Sequence, residues 1–230
     1  MKYIIFDFGK VLGYPKTGAW RVTPKFLELV KDVDLNVLKE SFKKNKELVK
    51  DDLPIKNLDE EYDMFVRFYS NVLEDLSLDK ELSKEIAYDK VYNNSEYELY
   101  DDVLDTLNKL KEDYTLLMLT DNFPSIINYL KHTGIYEIFD KVYVSSICET
   151  YKKEDKFFDM VIDDYDIKPG EALFIDDFEN NLDLGHKNGF EVVMLDRENK
   201  KESKYKRINN LDELEWENER RLHNGDRVIM

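Results

Sequence analysis

Five short runs of the chain are apolar without alternation: Tyr3–Phe6, Leu116–Leu119, Val142–Val144, Ala172–Ile175 and Val192–Leu195. A strand covered by helices on both faces has no polar face to show, so continuous runs predict a parallel sheet. Residues at helical spacing precede two of these runs. Leu99, Val103, Leu107 and Leu110 come before the second, and Phe157, Phe158, Val161, Ile162 and Tyr165 before the fourth. The alternation of strand and helix predicts an α/β fold with a doubly wound parallel sheet.

Between the first and second runs lie about a hundred residues, far more than one crossover helix needs. An inserted helical bundle is predicted over residues 14–96, dividing the chain into a core of 1–13 and 97–230 and an insert of 14–96. Its main signal is the amphipathic stripe Leu58, Tyr62, Phe65, Val66, Tyr69, Val72, Leu73 and Leu76, with further helical patterns at 24–32, 35–49 and 79–92. The stripe could line a ligand cavity, but at this spacing it is read as core. Thr23-Pro24 marks a helix start, because the hydroxyl caps free amides and proline needs no donor in the first turn. The segment 196–206 reads as a charged surface loop and 218–230 as a poorly ordered tail.

Composition narrows the partners. The 50 acidic residues outnumber the 34 basic ones, and the formal net charge of −16 repels phosphate backbones and anionic membrane surfaces. Neither nucleic acid nor a membrane is expected as a partner. The one cysteine, Cys148, rules out an intrachain disulfide and a cysteine-cluster metal site. The apolar run at the N-terminus ends at Asp7, far short of a secretory signal, and no run approaches the ~18 residues of a membrane span. A cytoplasmic enzyme is the expectation.

In a doubly wound sheet, ligands bind beyond the carboxyl ends of the strands. The residues placed there are Asp7-Phe8-Gly9-Lys10 after the first strand, Thr120-Asp121-Asn122 after the second and Asp176-Asp177 after the fourth. A single Asp after a strand is often only a turn or cap residue. The adjacent pair Asp176-Asp177 says more, because two like charges held close need a cation or donors to compensate them. Oxygen-only ligands indicate a hard ion, and Mg²⁺ is the usual one where phosphate is handled.

With these residues in order, the chain resembles the haloacid dehalogenase-like hydrolase superfamily, in the branch with a helical cap inserted after the first motif. The motifs appear as Phe6-Asp7-Phe8-Gly9-Lys10-Val11-Leu12, Leu116-Leu117-Met118-Leu119-Thr120-Asp121-Asn122, Lys152, and Phe174-Ile175-Asp176-Asp177 followed by Asn181 and Gly189. The resemblance implies a Rossmann-like core and a Mg²⁺-dependent phosphatase acting on a small phosphorylated metabolite. A sugar phosphate would suit it. In this reading Asp7 attacks phosphorus to form an aspartyl-phosphate. Asp7, the Gly9 carbonyl and Asp176 hold Mg²⁺, with Asp177 as a further or water-mediated ligand. Thr120, nearby backbone amides such as that of Asp121, and Lys152 hold the phosphoryl group.

Three departures from the family pattern bear on that expectation. Gly9 stands where most phosphatases of the family carry a second aspartate as general acid and base. Lys152-Lys153-Glu154-Asp155 replaces a proline-containing loop, so either Lys152 or Lys153 could point inward; spacing favours Lys152. Asp121 stands where asparagine is usual and is expected to turn away from the phosphate. Two alternatives therefore stay open: a haloacid dehalogenase, which also lacks the second aspartate, and a fold that binds a ligand or partner without useful turnover. The remaining signals have plainer readings. Asp163-Asp164-Tyr165-Asp166 reads as a helix end, Arg67 as a solvated side chain, Asn93-Asn94-Ser95 as a chance glycosylation sequon, and His132, His186 and His223 as surface.

Overall fold

In the computed structural model, which describes residues 1–50 and 54–214, β1 (Tyr3–Phe6) runs into a short β2 (Gly13–Pro15). Helices α1 (Pro24–Leu29), α2 (Leu35–Asn45), α3 (Leu58–Asp75) and α4 (Ser83–Tyr92) follow, and β3 (Tyr97–Leu99) leads back. Then come α5 (Val103–Asp113), β4 (Thr115–Thr120), α6 (Ser125–His132), β5 (Lys141–Val144), α7 (Ser145–Cys148), α8 (Asp155–Tyr165), β6 (Ala172–Asp176), α9 (Glu179–Lys187), β7 (Glu191–Leu195) and β8 (Lys206–Ile208). Six strands form one parallel sheet in the order β5-β4-β1-β6-β7-β8. Among the described residues, no helix is long and apolar enough to cross a membrane.

The continuous apolar runs have the expected cause. Ile4, Phe6, Leu116 and Met118 face one layer with Val103, Leu107, Ile126 and Leu130 of α5 and α6. Ile5, Leu117, Leu119 and Phe174 face the other, with Phe157, Phe158 and Val161 of α8. Neither face of the central strands meets solvent, so neither can be polar.

The helical segment has its own apolar centre, built from Phe26, Phe65, Phe68, Tyr69, Val72 and Leu73 with Ile86 and Val91, and Phe123 of the sheet layer joins it. Most of the α3 stripe is therefore core, as its spacing implies. The start of α1 is the one the sequence signals, with Thr23 accepting from the Phe26 N–H at 3.2 Å and Pro24 in the first turn; Asn57 caps α3 through the Glu60 N–H at 3.0 Å. Glu61 on α3 ties this segment to the sheet layer, accepting from the Ser125 N–H at 2.7 Å and the Ser125 hydroxyl at 2.6 Å at the start of α6.

Three elements differ from the sequence expectation. Leu99 ends β3 rather than opening a helix, which begins at Val103. β2 and β3 pair antiparallel, Gly13 opposite Leu99 and Pro15 opposite Tyr97, and so clamp together the two passages into and out of the helical segment. The charged stretch 196–206 ends in an added edge strand, β8, paired with β7 through backbone groups; only Ile208 of its three residues is buried. A charged edge strand hides its strand character from a hydrophobic pattern. Asp163-Asp164-Tyr165-Asp166 is indeed the end of α8, with Asp166 at a φ of 49°. His132 and His186 lie in the last turns of α6 and α9, and Arg67 is exposed. His223 and the segment 218–230 lie outside the described residues.

Candidate active site

The sheet order reverses next to β1. The chain first builds β4 and β5 on one side of it and then β6, β7 and β8 on the other. That is the crevice where a doubly wound sheet takes its ligands. Asp7 leaves the end of β1 with its N–H donating to the Ile175 carbonyl at 3.0 Å, so its position is fixed by the strand beside it. Asp176 ends β6 and Thr120 ends β4; all three are buried.

Lys152 reaches this point from the loop before α8 and is itself buried. Its ammonium lies 2.7 Å from Asp7 Oδ1 and 2.8 Å from Asp176 Oδ2. The inward lysine is therefore Lys152, while Lys153 is exposed with its ammonium 5.2 Å from the Tyr151 ring centroid. Hydrogen bonds do the work of the missing prolines. Asp121 Oδ1 accepts from the Lys152 backbone N–H at 3.1 Å, the Thr150 hydroxyl donates to Glu154 at 2.8 Å, and the Glu154 N–H donates to the Tyr151 carbonyl at 2.9 Å. The Asp121 carboxylate thus braces the lysine loop, which leaves its backbone as the group suited to an anion.

Asp176 is held by more than the lysine. Its Oδ1 accepts from the Phe178 N–H at 2.8 Å, and Asn181 Nδ2 donates to both oxygens at 3.1 and 3.0 Å. Asp177 pairs with Lys201 at 2.6 Å, from the loop after β7. Carboxylate oxygens of Asp7, Asp176 and Asp177 lie within 4.8 Å of one another, a donor set that fits a hard divalent cation.

The electrostatics follow from burial and from sharing one ammonium between two acids. Burial pushes the Asp7 carboxyl up to about 7; Lys152 opposes that shift and the Asp176 charge adds to it. For Lys152, burial works against the charged form, but the carboxylates of Asp176, Asp7 and Asp121 outweigh it and hold the ammonium well above its ordinary range. The lysine stays charged between the two acids.

Above these groups is a cavity of about 330 Å³. Its floor includes Asp7, Gly9, Thr120, Asp121 and Lys152, and its walls include Trp20, Arg21, Phe65, Lys90, Glu96 and Tyr97 from the helical side. The floor was legible in the sequence. The wall was not, apart from Phe65, because its residues come from a loop and from both ends of the helical segment. An aromatic beside a cation in the loop after the first motif, Trp20-Arg21, was the one local signal.

With this geometry in view, the chain belongs to the haloacid dehalogenase-like hydrolase family, whose model matches residues 1–189. Solved structures of similar fold include YfnB of Bacillus subtilis, a HAD-hydrolase chain determined bound to magnesium (17% identity, 93% of this chain and 96% of that one, TM-score 0.66). A HAD phosphatase from Thermococcus onnurineus is similar at 22% identity over 94% of this chain and 97% of that one, with a TM-score of 0.65. L-2-haloacid dehalogenase from Xanthobacter autotrophicus is similar at 16% identity over 93% and 96%, with a TM-score of 0.64. In sequence, 96 residues are 27% identical to D-ribitol-5-phosphate phosphatase of Bacteroides thetaiotaomicron; the match takes in 39% of this chain and 47% of that enzyme, about half its length.

Proposed function

We propose that the protein is a Mg²⁺-dependent phosphatase that cleaves a small phosphorylated metabolite, a sugar or alditol phosphate, through an aspartyl-phosphate on Asp7. The observation that carries this reading is the placement of Lys152 between Asp7 and Asp176, 2.7 and 2.8 Å away, at the floor of the cavity. A carboxylate meant to attack a phosphate dianion needs nearby positive charge to approach it. The partial match to a D-ribitol-5-phosphate phosphatase supports the substrate class.

In this mechanism Asp7 Oδ attacks phosphorus in line with the leaving oxygen, and water then hydrolyses the acyl phosphate. Lys152 holds Asp7 in its attacking position and faces the phosphoryl oxygens as charge develops. Thr120 offers its hydroxyl, and the backbone N–H groups after β4 offer fixed donors. Mg²⁺, held by Asp7, the Gly9 carbonyl and Asp176 with Asp177 alongside, would supply Lewis-acid shielding between the two anions. The helical segment 14–96 acts as the cap that excludes water and chooses the substrate.

Phosphate release from 4-nitrophenyl phosphate with Mg²⁺, compared between the wild type and Asp7→Asn, tests the reading. Turnover abolished in the variant is expected, and equal turnover would remove Asp7 as the nucleophile. A second reading, displacement of halide from carbon, is favoured by the side-chain-free position 9, and halide release from 2-chloropropionate would support it.

A further inference from the structure

The turn after β2 ends in a backbone state that a non-glycine residue adopts at a cost. Arg21 has a φ of 65°, in the left-handed region. Both its backbone polar groups are tied down from the helical segment. Its N–H donates to Glu96, and its carbonyl accepts from the Tyr69 hydroxyl at 2.8 Å. Glu96 is locked in turn by the Lys90 ammonium, in an ion pair whose two side chains are each 2% exposed. Lys90 also sits 4.5 Å from the centre of the Phe65 ring. Strain held by buried charged and aromatic groups marks a place where the position of the chain matters.

What the bracing fixes is Trp20. A methyl group at position 9 would stand 3.5 and 3.6 Å from its Cη2 and Cζ2 atoms, and 3.7 Å from Asp7 Oδ2. The indole edge therefore lies over the bare backbone of Gly9, next to the attacking carboxylate. The ring is 37% exposed and faces the cavity together with Tyr97, 5.8 Å away between centroids. A large aromatic left half open at the mouth of a polar site offers an apolar face to a ligand.

We propose that Trp20 is the specificity-determining residue for the leaving portion of the substrate, with Glu96 a positioning residue that acts through the Arg21 backbone. The inference rests on the phosphatase reading. The indole provides the wall against which a flat leaving group, an aryl ring or the C–H face of a sugar, packs. It also fills the space into which a side chain at position 9 would extend. As the Asp7–phosphorus bond forms, the phosphorus–oxygen bond breaks, its electron pair stays on the leaving oxygen, and that oxyanion takes its proton from water.

Three measurements test this. With Mg²⁺, Trp20→Ala should raise KM for phenyl phosphate roughly 5-fold and raise KM for acetyl phosphate, whose leaving group has no ring, distinctly less; Trp20→Phe should recover most of the loss. Equal effects on both substrates, or none on either, would overturn the proposal. In a Trp216→Phe background, where Trp20 is the one remaining indole of the two in the chain, 4-nitrobenzylphosphonate, whose nitroarene ring accepts energy from an excited indole in contact with it, should quench its fluorescence, and an unquenched signal overturns the contact. In the same background Gly9→Asp should shift the emission maximum, and an unmoved maximum would show that the indole does not occupy that space. If the wild type hydrolyses neither phenyl phosphate nor acetyl phosphate, the phosphatase reading fails, while the quench still decides whether Trp20 meets the ligand.

Discussion

Removing the Glu96 carboxylate probes the Lys90–Glu96 ion pair, which is buried on the helical side. In Glu96→Ala the Lys90 ammonium stays in an environment that leaves its side chain 2% exposed, with Phe65 and Tyr97 rings near it and its carboxylate partner gone. Breaking a buried pair from one side costs ~3–5 kcal/mol. The Arg21 N–H also loses its acceptor, which by itself costs ~1–3 kcal/mol. The Glu61 carboxylate attracts the same ammonium, which offsets part of the sum, so the expected loss is about 3 kcal/mol. With a urea m-value of ~2 kcal/mol/M, the midpoint should fall by about 1.5 M at constant m. The control is Lys90→Met/Glu96→Gln, which removes the stranded charge and keeps an acceptor for Arg21; it should recover all but ~1 kcal/mol. A loss under ~1 kcal/mol in Glu96→Ala, or a double variant as unstable as the single, would refute the electrostatic account of this wall.

Further outcomes follow from other contacts. Lys152→Met should lower kcat/KM by ~10²–10³, as loss of a preorganised transition-state donor does; a drop of less than tenfold would mean the lysine is mainly a structural counter-charge. Gly185→Ala places a methyl group 2.7 Å from Phe174 Cδ1. It should destabilise by ~1–3 kcal/mol despite the better helix propensity of alanine, and Phe174→Leu should relieve it in thermal melts. Burial holds the Glu61 carboxyl above its ordinary value of 4.5. The folded state therefore keeps a proton that the unfolded chain has already released, and stability should fall as pH rises from about 4.5 through the raised value, then level off. Glu61→Gln should flatten that part of the pH profile in urea unfolding; an unchanged slope would assign it to another group.

The sheet was legible because its central strands are apolar on both sides, and a strand with no wet face writes itself as an unbroken run. The helical segment was legible through α3, whose residues 58–76 keep one stripe for more than four turns. β2, β3 and β8 were not, since three-residue strands containing Gly13 and Pro15, or Lys206 and Arg207, are too short to carry a periodic signal and anchor to the core through single side chains such as Tyr97 and Ile208. The floor of the site was readable from positions after strands, because strand ends fix where a side chain emerges. Its wall depends on Lys90 meeting Glu96 and on Trp20 meeting Gly9, contacts set by packing between elements. The choice between Lys152 and Lys153 was of the same kind, decided by an Asp121 side chain 31 residues away in sequence.

The ammonium of Lys152 also bears on when the protein can fold. Two buried acids side by side would ordinarily make a chain wait for a divalent ion before it could close, as small metal-dependent folds do. Here part of the counter-charge belongs to the polypeptide, which lowers the cost of bringing the two acids together before any ion arrives. An ion entering such a site would share acids that already face an ammonium, and would bind more weakly than three unshared carboxylates would allow. Under the proposed Mg²⁺ dependence, its occupancy would follow the free concentration around it, and the ion would be an exchangeable visitor rather than a fixed part of the fold.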